Sequence, residues 1–90
     1  VLVASREVED AIYRHPAVAE VAVVGRAHEK WIEQVTAVIV LKDGIETVSP
    51  DEIRDLTRET LARHKVPGHI EFVEELPRNQ SGKLLKRELK

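Results

Sequence analysis

Apolar and polar positions alternate along this chain with periods that change several times, and each change marks an element. Val8, Ala11 and Ile12 recur at helical spacing after Ser5, which can cap a helix whose Glu7 and Glu9 lie near the positive end of its dipole. Pro16 ends that segment. Glu20-Val21-Ala22-Val23-Val24 is short, β-branched and bounded by Gly25, which predicts a strand. From Val35 to Leu41 nearly every position is apolar, so a second strand is expected with both faces covered, as a helix on each side of a small sheet provides.

Lys42-Asp43-Gly44 reads as a turn. Ser49-Pro50-Asp51-Glu52 combines a serine cap, proline at the first helical position and a glutamate completing a capping box. The helix it starts is expected to turn Ile53, Leu56, Thr60 and Leu61 inward and to end before Pro67-Gly68. Ile70 to Val73 predicts a third strand, and the basic, Leu-containing segment after Lys83 a short helix. The order is helix, strand, strand, helix, strand, short helix, an α+β arrangement with no internal repeat and no second domain.

Ninety residues suit one domain, and a chain of this length buries only about 60–65% of its unfolded surface, so its stability margin is thin and it is small for a complete enzyme. Hydrophobic residues make up 42% and charged residues 33%, an ordinary globular balance. Tyr13, Trp31 and Phe72 are the only aromatics, which makes the core aliphatic. The formal net charge of −2 gives no long-range attraction for nucleic acid. Without cysteine there is no disulfide, thiolate nucleophile or thiolate metal site, in keeping with a cytoplasmic setting. No apolar run approaches the roughly 20 residues of a membrane span. The chain opens at Val1 without methionine and reads as a fragment of something longer.

Chemistry concentrates near the carboxyl end, in Pro77-Arg78-Asn79-Gln80-Ser81-Gly82-Lys83. The Lys83 ammonium is a compact point charge suited to phosphate and carboxylate oxygens, and Ser81-Gly82 suggests a loop mobile enough to enter a site and withdraw. The plain alternative is a solvated basic tail. Gly82-Lys83 is no phosphate loop, because Pro77 stands where that motif has its first glycine and Leu84 where it has Ser or Thr. His15, His28, His64 and His69 lack ligand-like spacing and read as surface or capping residues. None of Ser5, Ser49 and Ser81 lies in a G-x-S-x-G elbow. Trp31, in a polar stretch between two strands, suits either stacking on an adenine or covering the sheet edge.

Glu7-Val8-Glu9, His15-Pro16-Ala17-Val18, Glu20 to Gly25, Leu61 to Pro67 and Leu76 to Lys83 resemble, in order and spacing, the C-terminal domain of adenylate-forming enzymes: acyl-CoA synthetases, adenylation domains and luciferases. The resemblance runs from about Ser5 to Lys90. It implies a small, mainly antiparallel three-stranded sheet flanked by helices, spanning residues 1–90 as a mobile lid on a large N-terminal domain. It further implies a two-step ligase. A carboxylate and ATP, with Mg2+ bound elsewhere than on this domain, give an acyl-adenylate and pyrophosphate; the thiol of CoA then displaces AMP. Lys83 matches the family's catalytic lysine, with Ser81 and Gly82 beside it on the nucleotide side.

Resemblance assigns Trp31 and the segment His64-Lys65-Val66-Pro67-Gly68 to the surface that meets the CoA nucleotide. Three positions depart from the family's pattern. Many relatives carry an aromatic in place of His64, a basic residue in place of Gly68 and a glycine in place of Ile32. The hinge and the glycine-rich loop that precede Glu7 in the family fall upstream of Val1, leaving only the end of that loop around Val3 to Ser5, so the isolated chain is expected to be inactive. The acid is expected to be a fatty or other hydrophobic carboxylic acid. Two other readings stand beside this one: the lid of a domain that loads a carrier protein, and a non-enzymatic module whose basic end, Arg78, Lys83, Lys86, Arg87 and Lys90, contacts nucleic acid or another anion.

Overall fold

A computed structural model describes residues 5–29, 32–45 and 48–89, with the side chains of all of these except 28, 29, 32, 33 and 64. Helix α1 (Ser5–Tyr13) leads into strands β1 (Val18–Glu29) and β2 (Ile32–Leu41), then helix α2 (Pro50–Arg58), a 3-10 turn (Arg63–Lys65), strand β3 (His69–Phe72) and a closing 3-10 turn (Lys86–Leu89). The sheet order is β1-β2-β3. The long β1–β2 ladder is antiparallel, from Val18 opposite Leu41 to Glu29 opposite Ile32, whereas β3 runs parallel to β2 with Thr36 opposite His69 and Ile39 opposite Phe72. Parallel pairing requires a crossover, which α2 supplies.

Strand alternation divides the core in two. Val21, Val23, Ala37, Ile39 and Ile70 turn to one face and pack with Val8, Ala11 and Ile12 of α1, Ile53 of α2, and Leu61. Ala22 and Val38 turn to the other and pack with Leu76, with Val40, Val73, Leu84 and Leu89 around them. Both helices therefore lie on the same face, contrary to the expected helix on each side. The second face is covered by the segment after β3, where Pro77 and the positive φ of 82° at Gly82 interrupt any helix and only Lys86–Leu89 coils.

Helix α2 departs from its expected phase. Its buried residues are Ile53 and Thr57, Thr60 is exposed, and the helix ends at Arg58 well before Pro67. Ile53, Thr57 and Leu61 share one stripe at a spacing of four, and Leu61 stays on it because its N–H still bonds to the Thr57 carbonyl at 2.9 Å. Thr57 tolerates full burial because its hydroxyl donates to the Arg54 carbonyl at 2.7 Å. The Ser49 hydroxyl accepts from the Asp51 N–H at 3.2 Å as a cap should, but Glu52 does not reach back to close a capping box. Its carboxylate instead bonds to His15 Nε2, while His15 Nδ1 accepts from the Ala17 N–H at 3.1 Å. His15 thus joins the segment after α1 to the first turn of α2.

Ser5 is the first residue of α1 rather than a cap before it. β1 continues through Gly25 to Glu29, because its pairing with β2 runs on through Arg26 opposite Gln34. As an edge strand, β1 exposes outward N–H groups that invite pairing with another chain. Two of them are taken by α1: the Val23 N–H donates to Glu9 Oε2 at 2.8 Å and the Val21 N–H to the Tyr13 hydroxyl at 3.3 Å. Their spacing of four sets both acceptors on one face of the helix.

Candidate functional site

Lys83 stands on a hydrogen-bonded hairpin. Arg78 and Leu84 form an antiparallel bridge, the Leu85 N–H donates to the Pro77 carbonyl at 2.9 Å, and Leu76 and Leu84 root the two arms in the second core cluster. Asn79 organises the tip. Its side-chain oxygen accepts from the N–H groups of Ser81 and Lys83, both at 2.9 Å, its carbonyl accepts from the Gly82 N–H at 2.9 Å, and its own N–H donates to the Lys83 carbonyl at 3.0 Å. An asparagine three residues before a glycine with positive φ is turn chemistry, so the tip is a tied structure rather than the loose loop that Ser81-Gly82 suggested.

The ammonium of Lys83 is exposed and pairs with no carboxylate among the described residues. Two of its basic neighbours are engaged. Arg78 pairs with Glu20 of β1 and donates to the Gly82 carbonyl at 3.0 Å, while Lys86 pairs with Glu9 at 2.7 Å. Glu9 therefore serves both the β1 edge and the C-terminal segment. Arg26 fastens that segment further along, donating from Nε to the Leu89 carbonyl at 2.6 Å and from a terminal nitrogen to Glu71 at 2.8 Å. The Arg26 hydrogen bond holds the Glu71 carboxyl below its ordinary value against the opposing effect of desolvation, helped by the charges of Arg26 and His69.

A second group of candidates gathers at the connection from α2 to β3. Lys65 pairs with Glu7 of α1 at 2.7 Å. The Gly68 N–H donates to the Val35 carbonyl at 3.0 Å, and Arg54 donates to the carbonyls of Pro67 and Gly68, both at 3.1 Å. A side chain at Gly68 would bring its Cβ to 3.0 Å from Gln34 Nε2, so a basic residue there needs Gln34 to move. The segment is an open groove of about 540 Å³ whose lining includes Arg54, Arg58 and Arg63 beside Pro67 and Gly68. His64 lies in the 3-10 turn; Trp31 lies outside the described residues.

The structure thus brings Ser81, Gly82 and Lys83 together on one side of the sheet, and His64, Lys65 and Gly68 together beside the helical layer on the other. Sequence reasoning overlooked Asn79, whose signal was the Asn-x-x-Gly spacing, and the arginines of the groove. The latter come from a helix face and a turn that no local motif unites. Among the described residues no group of three or more His, Asp or Glu side chains is placed to hold a metal ion, and no helix is long and apolar enough to cross a membrane.

Comparison with known proteins agrees with this architecture. Residues 7–83 match the AMP-binding enzyme C-terminal domain. A 2-succinylbenzoate–CoA ligase of Bacillus cereus is 49% identical over 84 residues, 93% of this chain and 17% of that protein. The crystal structure of an acyl-CoA synthetase from Brucella canis superposes with a TM-score of 0.88 at 36% identity, covering 98% of this chain and 17% of the other. The o-succinylbenzoate CoA synthetase of Bacillus subtilis, solved in complex with its acyl-adenylate intermediate, superposes with a TM-score of 0.83 at 41% identity, covering 96% and 17%. The chain spans about a sixth of the length of these relatives. With a match across most of its residues and the same three-stranded α+β architecture, it belongs to the family of C-terminal domains of AMP-binding, adenylate-forming enzymes.

Proposed function

We propose that this domain is the lid of an ATP-dependent acyl-CoA ligase and that Lys83 supplies the cation for its adenylation step. The observation that carries this reading is the exposed Lys83 ammonium, set on a tied hairpin while Arg78 and Lys86 beside it are paired with carboxylates. Such a group fits an anionic reaction centre. The fixed cation orients the attacking carboxylate toward the α-phosphorus and stabilises negative charge in the transition state, acting as a charge and not as a base. ATP supplies the adenylyl group, and pyrophosphate leaves as the α–β phosphoanhydride bond breaks. Mg2+ belongs, in this reading, to the large N-terminal domain of the same polypeptide, which is the partner this lid closes upon.

For the second step the CoA thiol attacks the acyl-adenylate and AMP departs. Trp31, His64, Lys65 and Gly68 are assigned to the CoA-nucleotide face. The groove beside Gly68 supports this through Arg63, which has no carboxylate partner among the described residues, whereas Arg54 pairs with Asp51 and Arg58 with Asp55. The two groups lie on opposite sides of one sheet, which supports a lid that turns between steps. The acid is proposed to be fatty or similarly hydrophobic, in keeping with the kinship to acyl-CoA synthetases. By the same reading the 90-residue chain is inactive alone.

The test is Lys83→Ala in the full-length enzyme, with ATP–pyrophosphate exchange and thioester formation from preformed acyl-adenylate measured separately. Exchange should fall by roughly 10²- to 10³-fold while thioester formation largely survives. Normal exchange, or an equal fall in both, refutes the assignment. Running the assay with a long-chain fatty acid and with 2-succinylbenzoate decides the acid class.

A further inference from the structure

Beyond the apolar roots of its two arms, the tip of the Lys83 hairpin is linked to the body of the domain by a side chain whose two bonds have different targets. Arg78 directs one guanidinium nitrogen to the carbonyl of Gly82, the peptide group immediately before Lys83, and another to the carboxylate of Glu20, 58 residues away on β1. Pro77 fixes the backbone before Arg78, and the Arg78–Leu84 bridge sets the arm on which it sits. An exposed ion pair of this kind adds little to stability. Its geometric effect is larger. Asn79 shapes the turn from within, but among the described residues only Arg78 ties the peptide plane that precedes the lysine to the sheet.

We propose that Arg78, buttressed by Glu20, is a positioning residue for Lys83, aiming the lysine stem so that its ammonium arrives in register when the lid closes. This rests on the adenylation role given above to Lys83. Arginine suits the task because its planar fork serves two acceptors at a fixed angle, whereas lysine is a point charge that satisfies one direction at a time. Neither Arg78 nor Glu20 is required to touch nucleotide or acid. Their whole effect passes through the lysine.

The test uses the full-length enzyme with Arg78→Met, Arg78→Lys, Glu20→Gln and Lys83→Ala, singly, and with Arg78→Met combined with Lys83→Ala. Arg78→Met is expected to lower the kcat of ATP–pyrophosphate exchange by roughly 10- to 100-fold with little change in the KM for ATP or acid, as misplacement of a reacting group does. Arg78→Lys and Glu20→Gln, which each keep one of the two links, should fall between Arg78→Met and wild type. Thioester formation from preformed acyl-adenylate should stay at the wild-type rate in all three. In the Lys83→Ala background, Arg78→Met should change the residual exchange by no more than about twofold, because nothing remains to be positioned.

A raised KM for ATP, or a further loss in the Lys83→Ala background, shows that Arg78 meets the nucleotide directly and overturns the proposal. A parallel fall in both half-reactions shows a merely structural role and overturns it too. If Arg78→Met fails to fold, Glu20→Gln carries the same test at the other end of the link. Failure of the underlying reading is distinct: Lys83→Ala would then leave exchange intact. Collapse of exchange in Lys83→Ala with normal exchange in Arg78→Met defeats the positioning role alone.

Discussion

Replacing Arg26 by alanine should loosen the C-terminal segment that carries the lysine hairpin, and the loss should depend on pH. Arg26 reaches from β1 to two acceptors, the Leu89 carbonyl at 2.6 Å and Glu71 at 2.8 Å. A hydrogen bond from a charged donor contributes about 1.5–3 kcal/mol when sheltered, and an exposed pair about 0–1 kcal/mol. The Arg26 and Glu71 side chains are 29% and 38% exposed, so the pair belongs near the lower figure and the carbonyl bond carries more. Arg26→Ala should therefore cost about 2 kcal/mol, a large fraction of the stability of a small domain.

Glu71 fixes the sign of the pH dependence. Its carboxyl is held below the ordinary value of 4.5 chiefly by the Arg26 hydrogen bond. A depressed carboxylate adds stability above its unfolded value and loses it as the pH falls through its folded value. The gap between wild type and Arg26→Ala should thus be widest near neutrality and narrow on acidification below 4.5, leaving the part due to the Leu89 carbonyl. Urea unfolding of the 90-residue chain across that range measures the gap, and amide hydrogen exchange locates it. A gap that does not change with pH, or loss of protection spread evenly instead of concentrated in Leu84 to Leu89, refutes the reasoning.

Ile53 is fully buried where α2 meets the first core cluster, and Ile53→Ala should cost about 2–5 kcal/mol, enough to leave a domain of this size largely unfolded in circular dichroism at 37 °C. Gly82→Ala meets no heavy atom within 4 Å but must hold a φ of 82°, so it should cost about 1 kcal/mol in backbone strain alone. In the full-length enzyme it should lower pyrophosphate exchange with little change in melting temperature; a large drop in that temperature with normal exchange would contradict this.

Local chemistry was legible wherever adjacent residues were enough to decide it. Ser49-Pro50 announced the start of α2, and the β-branched runs announced β1 and β2, because capping, proline geometry and strand preference act within a few residues. The ordered motifs through Lys83 likewise identified the family, with the α+β fold that accompanies it. What the sequence by itself could not settle was every choice between partners distant along the chain. Glu52 was suited by spacing to a capping box, but His15 of another segment took its carboxylate. The apolar run of β2 implied cover on both faces without saying what supplied it, and packing stacked both helices on one side and laid Leu76, Leu84 and Leu89 on the other. Arg78 looked like one more charge in a basic tail until the fold brought Glu20 of β1 alongside it. Hydrophobic period and turn chemistry are properties of neighbouring residues, whereas the pairing of charges and the covering of a sheet face depend on which segments meet in space, and only the folded chain decides that.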